Sequence, residues 1–324
     1  MKICVPASDV LRGPQIFCNR LFRALQEFPE VELVSPDLCE IYLHSAVIRD
    51  PRKSIKNILR LDGVYHHVGP EYNWKEKNKP IKKSYEIADG IVYQSQFSKR
   101  LCEKYLGTTN VPKTTIYNGA DPKEYASAVV CRQFAEKPFF LAVANWRKFK
   151  RLRDIIESFL LIDSSDVDLV VVGDVSKSGI TKNELETFCQ HRKVLFTGKV
   201  DQDRITFFLC QDLCSALVHI SWIDNCPNTV VEALCAGKPV ICGNVGGTKE
   251  IVQKAGGIVL DLEEDYDLEP ADLYHPAPID RSLVAKAMLK CLEQKFNIQN
   301  QHVDIRNVAR EYLEFFKSVL NLRR

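Results

Sequence analysis

The chain has 324 residues, a length that suits two domains of ordinary size. Hydrophobic residues make up 45% of it and charged residues 27%, proportions that are typical of a globular protein and argue against intrinsic disorder. The formal net charge of +2 excludes the strongly basic balance of a protein that binds nucleic acid.

The first part of the chain is predicted to alternate between strands and helices. Strands are expected at residues 2–5, 41–44, 58–61, 90–93 and 114–117, and helices at 15–28 and 95–106. This alternation is typical of a doubly wound domain, in which the loops after the strands carry the ligand contacts. Gly13 lies in the first of these loops, and Asp62, His66 and His67 lie in a later one.

A basic stretch, WKEKNKPIKK, occupies residues 74–83. Its few apolar residues show no amphipathic period, so we interpret it as a solvated loop. The alternative is a surface that meets an anionic acceptor or a membrane face.

The second part of the chain resumes the same alternation after residues 126–137, which lack a clear pattern and are interpreted as a linker. Strands are predicted at 139–143, 169–172, 194–196 and 216–220, and helices at 152–161, 282–294 and 303–320. Fully apolar strands favour a parallel sheet that is covered on both faces. We therefore predict an α/β protein with an N-terminal domain at 1–126, which the terminal helix at 303–324 joins, and a C-terminal domain at 127–302.

The twelve cysteines are scattered and form no CxxC pair. This usage favours reduced, mostly buried thiols in a cytoplasmic protein. Cys210, Cys214 and His219 leave a zinc site open as an alternative. Residues 1–13 are interrupted by Pro6 and Asp9, so no secretory signal is expected, and no apolar run is long enough to predict a transmembrane segment.

Residues 221–250, SWIDNCPNTVVEALCAGKPVICGNVGGTKE, combine two carboxylates with a predicted helix start. Asp224 lies in a loop and Glu232 on a helix predicted at 229–236, with Asn228 as its N-cap. The unpaired N–H groups and the positive dipole end of a helix N-terminus favour an anion between these two acids.

This segment resembles the donor-site signature of the retaining glycosyltransferases of family four (group 1), which have the GT-B fold. The family pattern is an acidic residue, seven residues, Glu-Ala, then Gly-x-Pro-Val and Gly-Gly-x-x-Glu. The matching positions are Asp224, Glu232, Ala233, Gly237, Pro239, Val240, Gly246, Gly247 and Glu250. Asp224 departs from the family, which usually has Glu there. The resemblance implies two doubly wound, Rossmann-like domains that face a central cleft.

The loop ANWRKFKR at 144–151 supplies four basic residues, Arg147, Lys148, Lys150 and Arg151. The family usually has an Arg and a Lys five residues apart that bind the donor diphosphate. Lys150 falls on the Lys, whereas Asn145 falls on the Arg, so Arg147 is the candidate substitute because its guanidinium suits bidentate phosphate contact. A solvated basic patch is the alternative.

The resemblance also implies roles for individual residues. Lys150, Arg147, Asp224 and Glu232 are the catalytic candidates, with Glu232 accepting hydrogen bonds from the ribose and Asp224 from the donor sugar. The donor-binding candidates are Gly13, Asn145, Arg151, Gly173, Asn225, Cys226, Asn228 and Thr229. The acceptor-side candidates are Asp62, His66 and His67, although a histidine in such a loop is more often a solvent-facing residue than a catalytic one.

The predicted function is transfer of a hexose-type sugar, with retention, from a UDP- or GDP-linked donor to a hydroxyl of a glycan, lipid or other acceptor. No metal or other cofactor is expected, since fixed cations would take up the leaving charge. Peripheral membrane contact stays open, and no nucleic-acid partner is predicted. The alternatives are a GT-B nucleotide-sugar epimerase and a non-catalytic nucleotide-sugar-binding subunit.

Overall fold

The computed structural model describes residues 1–6, 13–126, 135–191 and 193–321, and it divides the chain into two compact units. Unit 1 comprises Met1–Asp121, Asp267–Ala271 and Gln301–Arg324, and unit 2 comprises Pro122–Tyr266 and Asp272–Asn300. Most of the predicted linker, residues 127–134, lies outside the described residues.

Unit 1 begins with strands and helices in alternation. The elements are β1 (Lys2–Cys4), α1 (Gly13–Leu25), β2 (Glu32–Leu33), β3 (Ile41–Ser45), β4 (Lys56–Leu61), α2 (Trp74–Ile87), β5 (Gly90–Tyr93), α3 (Gln96–Leu106) and β6 (Lys113–Thr115). The strands form a six-stranded sheet in the order β2-β1-β3-β4-β5-β6, and every neighbouring pair is parallel.

Helix α2 contains the basic stretch at 74–83, so the predicted solvated loop is wrong. The side chain of Asn73 caps the helix by accepting from the backbone N–H of Glu76 at 3.1 Å. The buried face combines Ile81 and Tyr85 with polar Asn78, whose amide exchanges two hydrogen bonds with the backbone of Tyr65 at 2.7 and 2.8 Å. A polar residue therefore occupies the core-facing stripe, which hides the helical period from a reading of apolar residues alone.

Unit 2 repeats the alternation. Its elements are α4 (Pro122–Ala126), β7 (Phe139–Val143), a 3₁₀ turn (Lys148–Lys150), α5 (Leu152–Leu160), β8 (Asp168–Val172), α6 (Lys182–Gln190), β9 (Val194–Gly198), α7 (Gln202–Leu209), β10 (Cys214–His219), α8 (Asn228–Cys235), β11 (Val240–Gly243), α9 (Thr248–Ala255), β12 (Ile258–Leu260) and α10 (Arg281–Glu293). The sheet is parallel, in the order β12-β11-β10-β7-β8-β9. The first strand, β7, therefore lies between β8 and β10, and the direction of winding reverses there.

The terminal helix, α11 (Ile305–Asn321), belongs to unit 1. Residues spaced three and four apart, including Val308, Tyr312 and Phe316, are buried in one cluster with Phe17 and Leu21 of α1. A side chain at Gly119 would bring its Cβ within 2.9 Å of the Ile305 Cα, so glycine permits the close approach of this helix.

Two parallel sheets with helices between their strands confirm the predicted α/β fold class. The described cysteines are all free, and most are buried. In the described ranges, the search for a helix long and apolar enough to cross a membrane finds none.

Candidate functional site

Three loops meet at the carboxyl ends of β7, β10 and β11 in unit 2. The backbone N–H of Trp222 donates to the carbonyl of Phe149 at 2.9 Å, which joins the loop after β10 to the loop after β7. The N–H of Gly247 donates to the carbonyl of Asp224 at 2.8 Å, which joins the loop after β11 to the loop after β10. The meeting point is where the strand order reverses, the place at which doubly wound sheets bind ligands.

Asp224 is the centre of this arrangement. Its Oδ2 accepts a hydrogen bond from the ammonium of Lys150 and lies 3.4 Å from Nε2 of His219. Its Oδ1 accepts from the backbone N–H of Asn225 at 3.0 Å. The side chains of Lys150 and Asp224 are 17% and 19% exposed, so the pair is largely shielded from water but reachable.

The protonation states of these groups follow from burial and charge. Burial opposes ionisation of Asp224, but the charge of Lys150 and the contact with His219 outweigh it and lower the pKa of the carboxyl. Burial lowers the pKa of His219, with Asp224 raising it and Lys150 lowering it by smaller amounts. At pH 7 the site therefore holds a carboxylate, an ammonium and a neutral imidazole.

Gly246 helps to set the position of Asp224 through a close backbone contact. Its φ is +94°, and an added Cβ would lie 2.7 Å from the carbonyl oxygen of Asp224 and 3.0 Å from its nitrogen. Only glycine combines this left-handed backbone with so close an approach. The backbone of the Gly-Gly turn therefore packs directly against the backbone of Asp224 and fixes its position.

Glu232 lies on α8, which begins at Asn228 rather than Thr229. Pro227 occupies the cap position without a side-chain hydrogen bond, so the predicted N-cap role of Asn228 is wrong. Residues 230–235 of α8 are all buried, and Glu232 among them is 1% exposed.

The chain is similar to known proteins in sequence and in fold. Residues 131–269 match the family model for glycosyl transferases group 1. The chain matches this model over less than half of its length. It is also similar to the N-acetyl-alpha-D-glucosaminyl L-malate synthase of Bacillus anthracis, with 25% identity over 146 residues, which is 43% of this chain and 37% of that relative. The match thus spans well under half of the relative's length.

Solved structures share the fold over most of the chain. Alr3699/HepE of Anabaena in complex with UDP has a TM-score of 0.65 at 16% identity and covers 98% of this chain and 99% of its own. A glycosyltransferase from Rickettsia africae has a TM-score of 0.58 at 16% identity, covering 98% and 85%. Sucrose-phosphate synthase from Thermosynechococcus elongatus has a TM-score of 0.58 at 13% identity, covering 99% and 94%. The predicted GT-B fold is confirmed.

The basic loop at residues 144–151 has some side chains at the surface and others in the interior. Asn145, Arg147 and Lys148 are exposed, whereas Trp146 between them is buried and donates from Nε1 to the Val172 carbonyl at 2.9 Å. The buried indole anchors the loop and leaves its neighbours at the surface.

Arg151 differs from the other basic residues of the loop. It is 2% exposed and has a left-handed backbone, with φ +56°. Its guanidinium donates to Glu263 at 2.7 Å and to Asp154 at 3.2 Å. These internal ion pairs give Arg151 a structural role, and they count against the predicted contact with the donor.

Several other donor-binding candidates occupy positions that packing explains. Gly173 has φ +119°, and a Cβ there would lie 1.9 Å from the Ala144 carbonyl oxygen. Glycine is therefore needed where the backbone after β8 passes close to the backbone after β7. Gly13 is the first residue of α1 rather than part of a loop. Cys226 is buried, whereas Asn225, Asn228 and Thr229 are partly exposed.

The acceptor-side candidates lie in unit 1 and are tied into its interior. Asp62 accepts from Arg60 and Gln94, and from the hydroxyl of Ser45 at 3.2 Å. His66 and His67 are both buried, so the solvent-facing alternative for the histidines is wrong. Burial also lowers the pKa of His66.

The zinc alternative gains no support within the described ranges, where no group of three or more His, Cys, Asp or Glu side chains could hold a metal ion. Burial raises the pKa of Cys214 to about 12, and His219 faces Asp224 instead. The sequence analysis considered His219 only as a zinc ligand and missed its contact with Asp224, because His219 lies outside the quoted signature. The available signal is a histidine at the end of a mostly apolar strand.

Two substitutions are expected to move the pKa of His219 in opposite directions. Lys150→Ala removes a positive charge and should raise it, and Asp224→Asn removes a negative charge and should lower it. A titration of the imidazole protons by NMR measures both shifts. Lys148→Ala, with its exposed side chain, is the control and should leave the pKa unchanged. Shifts in the same direction would contradict this arrangement of charges.

Gly246→Ala should displace Asp224 and lower the pKa of His219 as Asp224→Asn does. Gly237→Ala is a matched control, because Gly237 also has positive φ, +71°, but an added Cβ there meets nothing within 4 Å. The control should cost about 1–2 kcal/mol of backbone strain without moving the pKa. NMR titration and thermal melting of both variants test this, and an unchanged pKa in a folded Gly246→Ala protein contradicts it.

Proposed function

We propose that the chain is a retaining glycosyltransferase that moves a hexose-type sugar from a UDP- or GDP-linked donor to a hydroxyl of a glycan, lipid or other acceptor. The observation that carries the proposal is the Lys150–Asp224 ion pair at the strand-order reversal of unit 2, on two positions of the group 1 signature. It combines a cation for a diphosphate with a carboxylate for sugar hydroxyls in one place.

The reaction needs a cation where negative charge develops. The bond from sugar C1 to the diphosphate oxygen breaks, and its electron pair stays on the diphosphate. The acceptor oxygen forms the new bond to C1 on the face that the diphosphate leaves, and its proton passes to a phosphate oxygen. Groups fixed in advance near the leaving oxygens lower the barrier most, since they need no rearrangement during the reaction.

Lys150 suits the leaving diphosphate because an ammonium has three donors. One is engaged by Asp224 in the resting protein, which leaves two for phosphate oxygens. Exposed Arg147 is the second cation in this proposal, since Asn145 stands where group 1 enzymes usually have arginine. The negative charge of the leaving nucleotide would then be compensated by Lys150 and Arg147, without a metal ion.

The two carboxylates have separate roles in the proposal. Asp224 keeps acceptor capacity on both oxygens and would bind hydroxyls of the transferred sugar. Glu232, on α8, would accept from ribose hydroxyls that do not react. The UDP complex of the similar Anabaena protein supports a uridine nucleotide as the first donor to test. The free, mostly buried thiols suit a cytoplasmic location.

The direct test is a screen of UDP- and GDP-sugars with glycan and lipid acceptors. A transferase releases free nucleotide in proportion to glycosylated product, and NMR of the product shows whether the anomeric configuration is retained. Binding without turnover would favour a nucleotide-sugar-binding subunit, and conversion of the donor without transfer would favour an epimerase.

Lys150→Ala is expected to lower kcat by roughly 10²-fold or more, the scale seen when one preorganised electrostatic donor is removed. The effect appears in kcat because the charge on the diphosphate grows as the bond breaks. Lys148→Ala, two residues away and exposed, is the matched control and should keep near-normal kcat. A folded Lys150→Ala enzyme with normal turnover would assign the leaving-group role to Arg147 instead.

Glu232→Gln is expected to weaken donor binding by about 1.5–3 kcal/mol, the value of a charge-assisted hydrogen bond. Its effect should fall on the dissociation constant more than on kcat, since the ribose hydroxyls do not react. Calorimetry with the nucleotide diphosphate measures it. Because Glu232 is buried, a melting curve must first show that the variant is folded.

Turnover is expected to survive EDTA, because the proposal gives the leaving charge to Lys150 and Arg147. Initial rates with and without the chelator measure this. Complete loss with EDTA that manganese or magnesium restores would count against the assignment of these two cations.

A further inference from the structure

His219 lies beneath the site at the last position of β10 and is 5% exposed. Its Nε2 is fully buried and does not reach full hydrogen-bond geometry with any described group. The atom it faces is Oδ2 of Asp224, at 3.4 Å. A buried polar group without a good hydrogen-bond partner costs free energy, and Asp224 Oδ2 is the acceptor within reach of Nε2.

The surroundings of the ring leave Asp224 as its polar partner. In the sheet register His219 pairs with Cys242 on β11, and burial raises the pKa of this thiol, which is therefore neutral. The charged groups that act on the ring are Asp224 and Lys150. A neutral imidazole with its proton on Nε2 can donate to the carboxylate without adding charge to the site.

We propose that His219 is a positioning residue that holds the Asp224 carboxylate in place when Lys150 turns toward the leaving diphosphate. This inference rests on the proposed function and deepens it. In the resting protein Lys150 and His219 flank the same oxygen, Oδ2. Once phosphate oxygens draw the ammonium away, Oδ2 loses its strongest partner, and the buried N–H of His219 is the donor that remains beside it.

The same pairing accounts for the aspartate at position 224. An aspartate is shorter than a glutamate by one methylene, so its carboxylate stays close to the strand end. There Oδ1 is engaged by the backbone N–H of Asn225 and Oδ2 faces His219. A histidine at the end of β10 therefore gives the aspartate carboxylate a second partner besides the Asn225 N–H. The two contacts, one on each oxygen, set the orientation of the carboxylate toward the sugar.

Two amide substitutions test the proposal as a matched pair. The amide nitrogen of His219→Gln can reach the place of Nε2, whereas that of His219→Asn stops one methylene short. We expect His219→Asn to lower kcat about tenfold and His219→Gln to restore most of it, with the dissociation constant for the free nucleotide diphosphate little changed in both. Val218→Ala, on the same strand, controls for lost packing: it should lower the melting temperature without lowering kcat.

A double-mutant cycle shows whether His219 acts through Asp224. In an Asp224→Asn background, His219→Asn should change kcat less than about twofold, because the carboxylate it positions is gone. If His219→Asn does not fold, His219→Phe, which keeps the ring volume but has no donor, takes its place in both backgrounds.

The outcomes separate this inference from the function it rests on. A wild type that transfers sugar, together with a His219→Asn variant of equal kcat, overturns the inference alone. The inference is also overturned if His219→Asn lowers kcat as much in the Asp224→Asn background as in the wild type, or if a folded His219→Gln variant does not recover kcat. A wild type that forms no product with any donor overturns the proposed function, and the inference falls with it.

Discussion

The ion pair between Lys150 and Asp224 is the interaction on which the rest of the site depends. Two charges shielded from water are costly to hold unless their partners are fixed in good geometry. Here the fixing comes from the backbone, because Trp222 bonds to the Phe149 carbonyl and Gly247 bonds to the Asp224 carbonyl. The loops after three neighbouring strands thus hold one another, and the order of those strands in the sheet brings a lysine and an aspartate 74 residues apart into contact.

Backbone contacts of this closeness explain where the chain needs glycine. At Gly246 the Asp224 backbone fills the space of a side chain, and at Gly173 the Ala144 carbonyl does the same at the ends of β7 and β8. Either glycine can therefore affect ligand binding without contacting the ligand itself. A glycine in a donor-site signature can therefore act by letting a loop rest on another loop, which a sequence pattern alone does not distinguish from direct ligand contact.

The alternation of apolar strands with helices was enough to predict the α/β class, because β7 and β8 are nearly continuous buried runs. Asp224 and Lys150 were singled out by their resemblance to the family pattern, and the structure brings them into contact, while their roles stay predictions. Three features depended on tertiary contacts and were missed: Asn78 occupies the buried stripe of α2, Arg151 pairs with Glu263 from 112 positions away, and His219 meets Asp224 only through the loop that follows β10. In each case the residue type shows that the side chain is polar, but it does not show which residue that side chain contacts in the folded protein.

The electrostatic state of the site suits the binding and release of an anion. With His219 neutral, the positive charge of Lys150 is balanced by the negative charge of Asp224. In the proposed function, an arriving diphosphate would meet an ammonium that donates one hydrogen bond to Asp224 and has further N–H donors to offer. When the anion leaves, Asp224 would again accept a hydrogen bond from the ammonium, so neither charged group would be left without its partner. A lysine paired this way stays in position between turnovers, whereas an unpaired one would lose that order to solvent and side-chain motion. In the proposed function the carboxylate would serve both the cation and the sugar. Both roles require that it stay ionised, and its lowered pKa meets that requirement.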